Sequence, residues 1–477
     1  MSPVARISTP DAARDLIGIR RMLSEAPDAG ALQPLGLGGV VLGPGVLDLL
    51  PELVAQVRDG GADVVLLADC RLMAGDVPDL KAGIEARLRA SGERVRRVTI
   101  GDVDARVHVD QETIDGAAAA AAGAAALVSV GSGSVADVGK AVCDSAGGLP
   151  HVVVQTAGSV NGFADDQSVL LVDGVKRTTA TRWPDRLLID TDVVAQAPSY
   201  LNRAGLGDLL ATYTAPADWL LASLVGQDAT YSATVVSLAR LHVDAAVDAA
   251  SGIGTGDLLA IENLTAALTL SGISTGVAGR TSPGSGMEHT VSHLLEMAED
   301  HGEPSPLHGA KVGALTVLAA LLWVRVRDAA RRGALAELRF PSPEEMQRRV
   351  DDAFGPADPS GRMAAQCWHD YARKLERWHG TAESVRTLPD RWPAFDAELD
   401  ALLAPPERLV GALRAAGAPT RLAELGIREE PARWALANCH LMRDRFTVAD
   451  LAFLMGIWEP ADVDSLLLDA AALGAGL

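Results

Sequence analysis

Cysteine is scarce in this chain, and positive charge is outweighed. The four cysteines among 477 residues, Cys70, Cys143, Cys367 and Cys439, are scattered and form no CxxC pair. That excludes a disulfide framework, so free thiols in a reducing compartment are expected. Lys and Arg number 42 against 62 Asp and Glu, a net charge of −20. Such a balance argues against nucleic-acid or anionic-membrane partners while leaving room for a small basic pocket. Residues 1–34 carry no apolar signal-peptide core. The apolar stretch Val312 to Val324 is too short to span a bilayer and reads as a buried helix. No internal repeat is evident, and the Ala-rich run 117–126 reads as a helix face. A cytoplasmic protein working on a small molecule is expected.

Nearly half the residues (48%) are hydrophobic and 22% are charged, ordinary values for an enzyme with room for two domains. Residues 1–35 read as a helical extension. From 36 to 197, short β-like runs alternate with helical ones: 40–42, 64–67, 98–100, 107–109, 127–130, 151–155 and 186–190. That alternation predicts an α/β domain with a mostly parallel, Rossmann-like sheet. From 198 to 477 the patterns are almost all helical, predicting an all-α domain, with the active site in the cleft between the two. The stretch 340–360 reads as a surface connection.

Three separated segments can supply metal ligands. They are Ala204-Gly205-Leu206-Gly207-Asp208, Met287-Glu288-His289 with Ser292-His293, and Leu307-His308-Gly309. One carboxylate and two imidazoles make a site with an open position, suited to a Lewis-acid divalent ion. His289 and His293, four apart on a helix, face one side. The spacing suits two ligands, or one ligand and one proton donor. Zinc, iron and nickel all accept such donors.

Upstream, Gly131-Ser132-Gly133-Ser134 lies between a strand and a helix, where bare backbone and a helix N-terminus welcome a pyrophosphate. It lacks the third glycine of GxGxxG and alone reads equally well as a structural turn. A second small-residue turn, Gln155-Thr156-Ala157-Gly158-Ser159, follows the next strand and strengthens the dinucleotide reading. Ser134 and Asp137 stand where a cap or a cofactor contact belongs. Asp69, closing the strand at 64–67, fits a ribose hydroxyl contact that disfavours NADP, or a surface turn. His301, His369, His379 and His440 read as structural, Trp368, Tyr371 and Trp378 as one packed helix face, and Arg443-Asp444-Arg445 as a salt-bridged surface.

The combination resembles the sn-glycerol-1-phosphate dehydrogenase family, bacterial branch included, within the iron-containing alcohol dehydrogenase and dehydroquinate synthase-like group. The resemblance rests on GSGSVADVGK (131–140), QTAGSVNGFA (155–164), LIDTDVVAQAP (188–198), AGLGDLLATYTAPADW (204–219), SPGSGMEHTVSH (282–293) and LHGAKVG (307–313). It implies Asp208, His289 and His308 as metal ligands, and His293 beside the substrate as a hydrogen-bonding or proton-relay group. It further implies that Gly131, Ser132, Gly133, Ser134 and Val135, with Thr156, Ala157, Gly158 and Ser159, hold NAD(H) or NADP(H). One divalent metal, zinc ahead of nickel and iron, and a homodimer or larger assembly are implied as well.

Departures mark the substrate side. Asn161 stands where relatives carry a substrate-contacting Asp, and Asp165 where a Ser commonly touches the cofactor. Ser282 replaces an Arg, and Ala310 a frequent Glu. Lys176, Arg177 and Arg182 are candidate phosphate anchors. The expected reaction interconverts glycerol 1-phosphate and dihydroxyacetone phosphate. A changed substrate, a synthase-like use of bound NAD, and a non-catalytic scaffold stand as alternatives.

Overall fold

The computed structural model describes residues 11–60, 63–73, 79–102, 107–172, 175–298 and 306–477. Its centre is a six-stranded sheet of β1 (Val40–Gly43), β2 (Asp63–Asp69), β3 (Val95–Ile100), β4 (Ala124–Gly131), β5 (His151–Gln155) and β8 (Arg186–Asp190). The order is β1-β8-β5-β4-β2-β3, and every pairing is parallel. β6 (Gln167–Val172) and β7 (Val175–Ala180) form a separate antiparallel pair.

The continuous apolar runs of the central strands follow from burial on both faces. Along β2, Val64, Leu66 and Ala68 join one hydrophobic cluster with Leu50, Val54, Ile84 and Leu88. Val65 and Leu67 join the other with Ile114, Ala117, Val138 and Val142. Helices therefore cover both sides of the sheet, as a doubly wound fold requires. Beyond β8 no further strand occurs among the described residues; a single bridge pairs Arg421 with Gly476.

By packing, the chain divides into two compact units. One comprises Met1–Leu209, Thr234–Thr281 and Ala415–Gly417; the other, Leu210–Ala233, Ser282–Arg414 and Ala418–Leu477. This grouping and a boundary near 197 divide the chain differently, because the helices within 234–281 pack with the sheet.

Several local expectations differ from what forms. Residues 107–109 are not a strand: only Asp110 makes a bridge, to Leu171. The helix Leu80–Ala90 and the β6–β7 pair were not anticipated. The helix expected over Pro343–Phe354 forms with those bounds, capped by Ser342 and seated on Met346, Val350 and Phe354, so 340–360 is more than a surface connection. The apolar stretch 312–324 is the middle of a 24-residue helix, His308–Arg331. That helix and Leu258–Ala278 are long and apolar enough to cross a membrane, but 78% of each apolar window is buried inside the protein. Both are core helices. The four cysteines are free, and three of them are buried; burial pushes the Cys367 thiol up to about 12.

Candidate active site

The chain leaves β2 for β3 on one side, then returns to pair β4 on the other side of β2 before β5 and β8 extend the sheet. That reversal makes the carboxyl ends of β2 and β4 a topological switch point, where open α/β sheets bind ligands. Both turns picked out from sequence follow strands beside it. Gly131 ends β4, and Ser132 is the N-cap of the helix Gly133–Ser145. A methyl group on Gly131 would lie 2.5 Å from the Val135 side chain, so only glycine lets the chain fold back this tightly. Thr156 follows β5, and its N–H donates to the Gly131 carbonyl at 3.1 Å. Gly158 donates to Asn202 Oδ1 at 2.8 Å, and Asn202 in turn donates to the Val194 carbonyl at 2.9 Å. Asn202 thus fixes the second turn, a role the sequence reading missed.

Two acids assigned to the cofactor have basic partners. Asp69 pairs with Lys81, whose fully buried ammonium also donates to the Asp69 carbonyl at 2.9 Å. Asp165 accepts from the fully buried Lys140 at 2.7 Å, and Lys140 also donates to the Gly162 carbonyl at 2.7 Å and to the Gln167 carbonyl. Lys140 therefore staples the 162–167 loop to the glycine-turn helix. Asp137 lies 3.5 Å from the same ammonium and is not the helix cap. Burial raises its carboxyl to about 7, against the pull of Lys140. Asn161, beside this loop, donates to Ser271 Oγ at 3.1 Å. Arg182 serves Asp185 at 3.2 Å and the Leu149 carbonyl at 2.8 Å, and Arg177 is exposed. The Lys176 side chain and His301 lie outside the described residues.

On the helical side, His289 and His293 stand on Met287–Ala298, and His308 opens His308–Arg331. Ring centroids are 5.1 Å apart for His289 and His308, 5.4 Å for His293 and His308, and 6.4 Å for His289 and His293. Asp208, on Ser199–Leu210, His289 and His308 each offer a candidate ligand atom, and these atoms lie within 4.8 Å of one another. His293 falls outside that trio.

Each histidine of the trio has a carboxylate on its Nδ1. Glu288 Oε1 is 3.0 Å from His289 Nδ1 and accepts from the Gly286 N–H at 2.5 Å, while Oε2 accepts from Thr214 Oγ1 at 3.0 Å. Glu296 Oε1 is 3.3 Å from His308 Nδ1 and 2.9 Å from Lys311 Nζ. With Nδ1 engaged, Nε2 is the ring nitrogen suited to coordinate a metal, the usual outer arrangement of metal-bound imidazoles. Burial works against the Glu296 charge, but hydrogen bonds from His293 and His308 outweigh it and hold the carboxyl well below its usual range. Burial, reinforced by the Arg443 charge, holds His293 well below the imidazole range, hence neutral. One carboxylate and two oriented imidazoles fit a divalent ion of the zinc, iron or nickel type.

The helix carrying His289 is itself anchored. Asp218 accepts from the Met287 N–H at 2.8 Å and from the Val448 N–H at 3.0 Å. Arg445 donates to the Ser285 carbonyl and, at 2.7 Å, to Ser285 Oγ. Residues 443–445 are therefore not simply a salt-bridged surface: Asp444 pairs with Arg377, while Arg445 is tied to Ser285. Arg443 has φ 63°, the one non-glycine at positive φ among the described residues. His440 is buried on Phe453, His379 Nε2 meets the Pro341 carbonyl at 3.0 Å, and His369 is exposed. Tyr371 and Trp378 are buried, and Trp378 stacks on Phe340 and Phe446. Glu288, Glu296 and Lys311 escaped the sequence reading although they sit in or beside its motifs. Glu296 lies three residues after His293, one turn along the same face.

A family model described as iron-containing alcohol dehydrogenase matches residues 41–198. The fold is that of a crystal structure of a probable glycerol dehydrogenase from Sinorhizobium meliloti, with TM-score 0.56 and 19% identity over 91% of this chain and 98% of that one. Fold and match together define the class. Among curated relatives, the glycerol-1-phosphate dehydrogenase [NAD(P)+] of Methanothermobacter thermautotrophicus is 32% identical over 64% of this chain and 82% of its own. The enzyme of the same name from Bacillus licheniformis is 29% identical over 67% of this chain, and the match spans 66% of that relative's length. The chain belongs to the glycerol-1-phosphate dehydrogenase family of the iron-containing alcohol dehydrogenase group.

Proposed function

We propose that this protein is a metal-dependent, NAD(P)-linked dehydrogenase that interconverts a small polyol phosphate and its ketone, with glycerol 1-phosphate and dihydroxyacetone phosphate as the pair. The observation that carries the proposal is the convergence of Asp208, His289 and His308, whose candidate ligand atoms lie within 4.8 Å of one another. A divalent ion held by these three residues would supply Lewis acidity. A nicotinamide held by the turns 131–135 and 156–159 would supply the hydride-transfer chemistry. The substrate oxygen gains or loses a proton, and His293, neutral and one helical turn from His289, is positioned to hand it on.

For the cofactor, the turns 131–135 and 156–159 flank the switch point, and the N-terminus of Gly133–Ser145 favours phosphate. Asp69 is neutralised by Lys81, which weakens electrostatic rejection of a 2′-phosphate, so the proposal includes both NAD(H) and NADP(H). Asp165 contributes by holding Lys140 and its loop. A homodimer or larger assembly in the cytoplasm completes the proposal; light scattering tests the assembly.

One observation favours a second reading, the same chemistry on another substrate. Asn161, uncharged and bonded to Ser271, stands where the family resemblance implies a substrate-contacting acid. The experiment is NADH and NADPH oxidation with dihydroxyacetone phosphate, using metal-free protein reloaded with zinc, nickel or iron. Robust turnover with one metal supports the first reading. Absent turnover with metal and cofactor bound supports the second. Failure to bind either removes both.

A further inference from the structure

Glu296 is the point at which three groups of different kinds meet. Its Oε1 lies 3.3 Å from His308 Nδ1 and 2.9 Å from Lys311 Nζ, and its Oε2 lies 3.5 Å from His293 Nδ1. The glutamate side chain is 7% exposed and Lys311 is 0% exposed. A carboxylate in such a place is stable only when ionic and hydrogen-bonding partners surround it. Its positions also follow from the helices. Glu296 is one turn beyond His293, and Lys311 is one turn beyond His308 on the neighbouring helix, so two helical turns close on one carboxylate.

We infer that Glu296 is a positioning residue that sets the tautomer of His308 for metal binding, with its other oxygen facing the His293 ring at 3.5 Å. The inference rests on the metal reading above. His308 is the first residue of its helix, directly after the extended N-cap Leu307. A charged acceptor on Nδ1 keeps the proton there and aims Nε2 at the ion. Lys311 Nζ, 2.9 Å from the same oxygen, holds that acceptor in place. His293 is 5.4 Å from His308 ring to ring, so a shift of Glu296 on metal binding reaches the group positioned to move the substrate proton. Glu288 performs only the first of these tasks, for His289, since its second oxygen is held by Thr214.

The test is zinc affinity by competition with a chromophoric chelator, with 15N NMR of the histidine rings in the zinc-loaded protein. Wild type is expected to bind one zinc per chain, with His308 protonated at Nδ1. Glu296→Gln is expected to bind zinc about 10–100-fold more weakly, the range for loss of an outer partner. It should also move the His293 ring resonances, which a purely local packing defect elsewhere would leave alone. Because Glu296→Gln leaves Lys311 buried without its counter-charge, the double variant Glu296→Gln/Lys311→Met guards against misfolding. It removes both charges and should keep the weakened affinity while melting as a folded protein. Wild-type affinity in either folded variant overturns the inference and leaves the metal reading standing. Absence of zinc binding by wild type overturns both.

Discussion

A methyl group at Gly205 would lie 1.8 Å from the carbonyl oxygen of Gly158. The helix that carries Asp208 therefore packs its backbone directly on the turn assigned to the cofactor, and glycine is needed for the approach rather than for an unusual φ. Backbone cannot swing aside as a flexible side chain does. Gly205→Ala is expected to cost about 2 kcal/mol or more in stability and to weaken NADH binding by displacing residues 156–159. Urea denaturation and NADH fluorescence titration check the two parts; unchanged cofactor affinity in the folded variant would disprove the coupling.

His308→Ala should leave a folded protein, since the ring is only partly buried at the start of its helix. Bound metal should drop from one per chain to near zero, and turnover should fall beyond the roughly 10–100-fold that outer partners cost. Elemental analysis and circular dichroism on the same sample are the measurements. Undiminished metal content would remove His308 from the ligand set.

Asn161→Asp probes the substrate side. The new carboxylate can accept from the Ser271 hydroxyl, reversing the present 3.1 Å hydrogen bond without losing it. Activity on dihydroxyacetone phosphate is expected to rise roughly tenfold, within the worth of a charged hydrogen bond. If the profile over several ketones and their phosphates is unchanged, Asn161 does not select the substrate.

His151 predicts an acid sensitivity. The ring is fully buried, with Nε2 2.8 Å from Ser129 Oγ. Burial, with the Lys140 and Arg182 charges, lowers its pKa to about 3 from an ordinary 6.5. Between those values the unfolded chain binds a proton that the folded chain refuses. The stabilisation is therefore complete above about pH 6.5 and is lost as pH falls toward 3. The stability difference between wild type and His151→Gln should shrink by about 2 kcal/mol from pH 7 to pH 5, measured by urea denaturation. A difference independent of pH would show that another group carries the acid response.

The parallel sheet was legible because strands buried on both faces write themselves as apolar runs, as Val64 to Leu67 do. The β6–β7 pair was not. Lys176, Arg177, Thr178 and Thr179 of β7 are polar, so that strand writes no apolar run, although Leu170 of β6 packs against the core. Residues 107–109 looked like a strand because Val-His-Val alternates, yet three residues with a single bridge do not make a ladder. Of the site, the set Asp208, His289 and His308 came from the family resemblance, since the spacing of His289 and His293 alone left open which of them is a ligand. Their outer partners were less visible, because a buried Glu or Lys looks in sequence like any charged surface residue until its burial is known. Asp69 and Asp165 are the instructive pair: each was read for its charge, and each has that charge answered by a lysine, Lys81 or Lys140, more than ten residues away.

Every strand of the six-stranded sheet ends by Asp190, whereas the first candidate metal donor is Asp208 and the last is His308. During synthesis the sheet can thus be complete before any donor leaves the ribosome, and the ion has no part in choosing its topology. Metal supply would govern how many molecules become active, not how many acquire the right fold. A cell starved of the ion would accumulate an intact reserve that later loading could recruit without new translation.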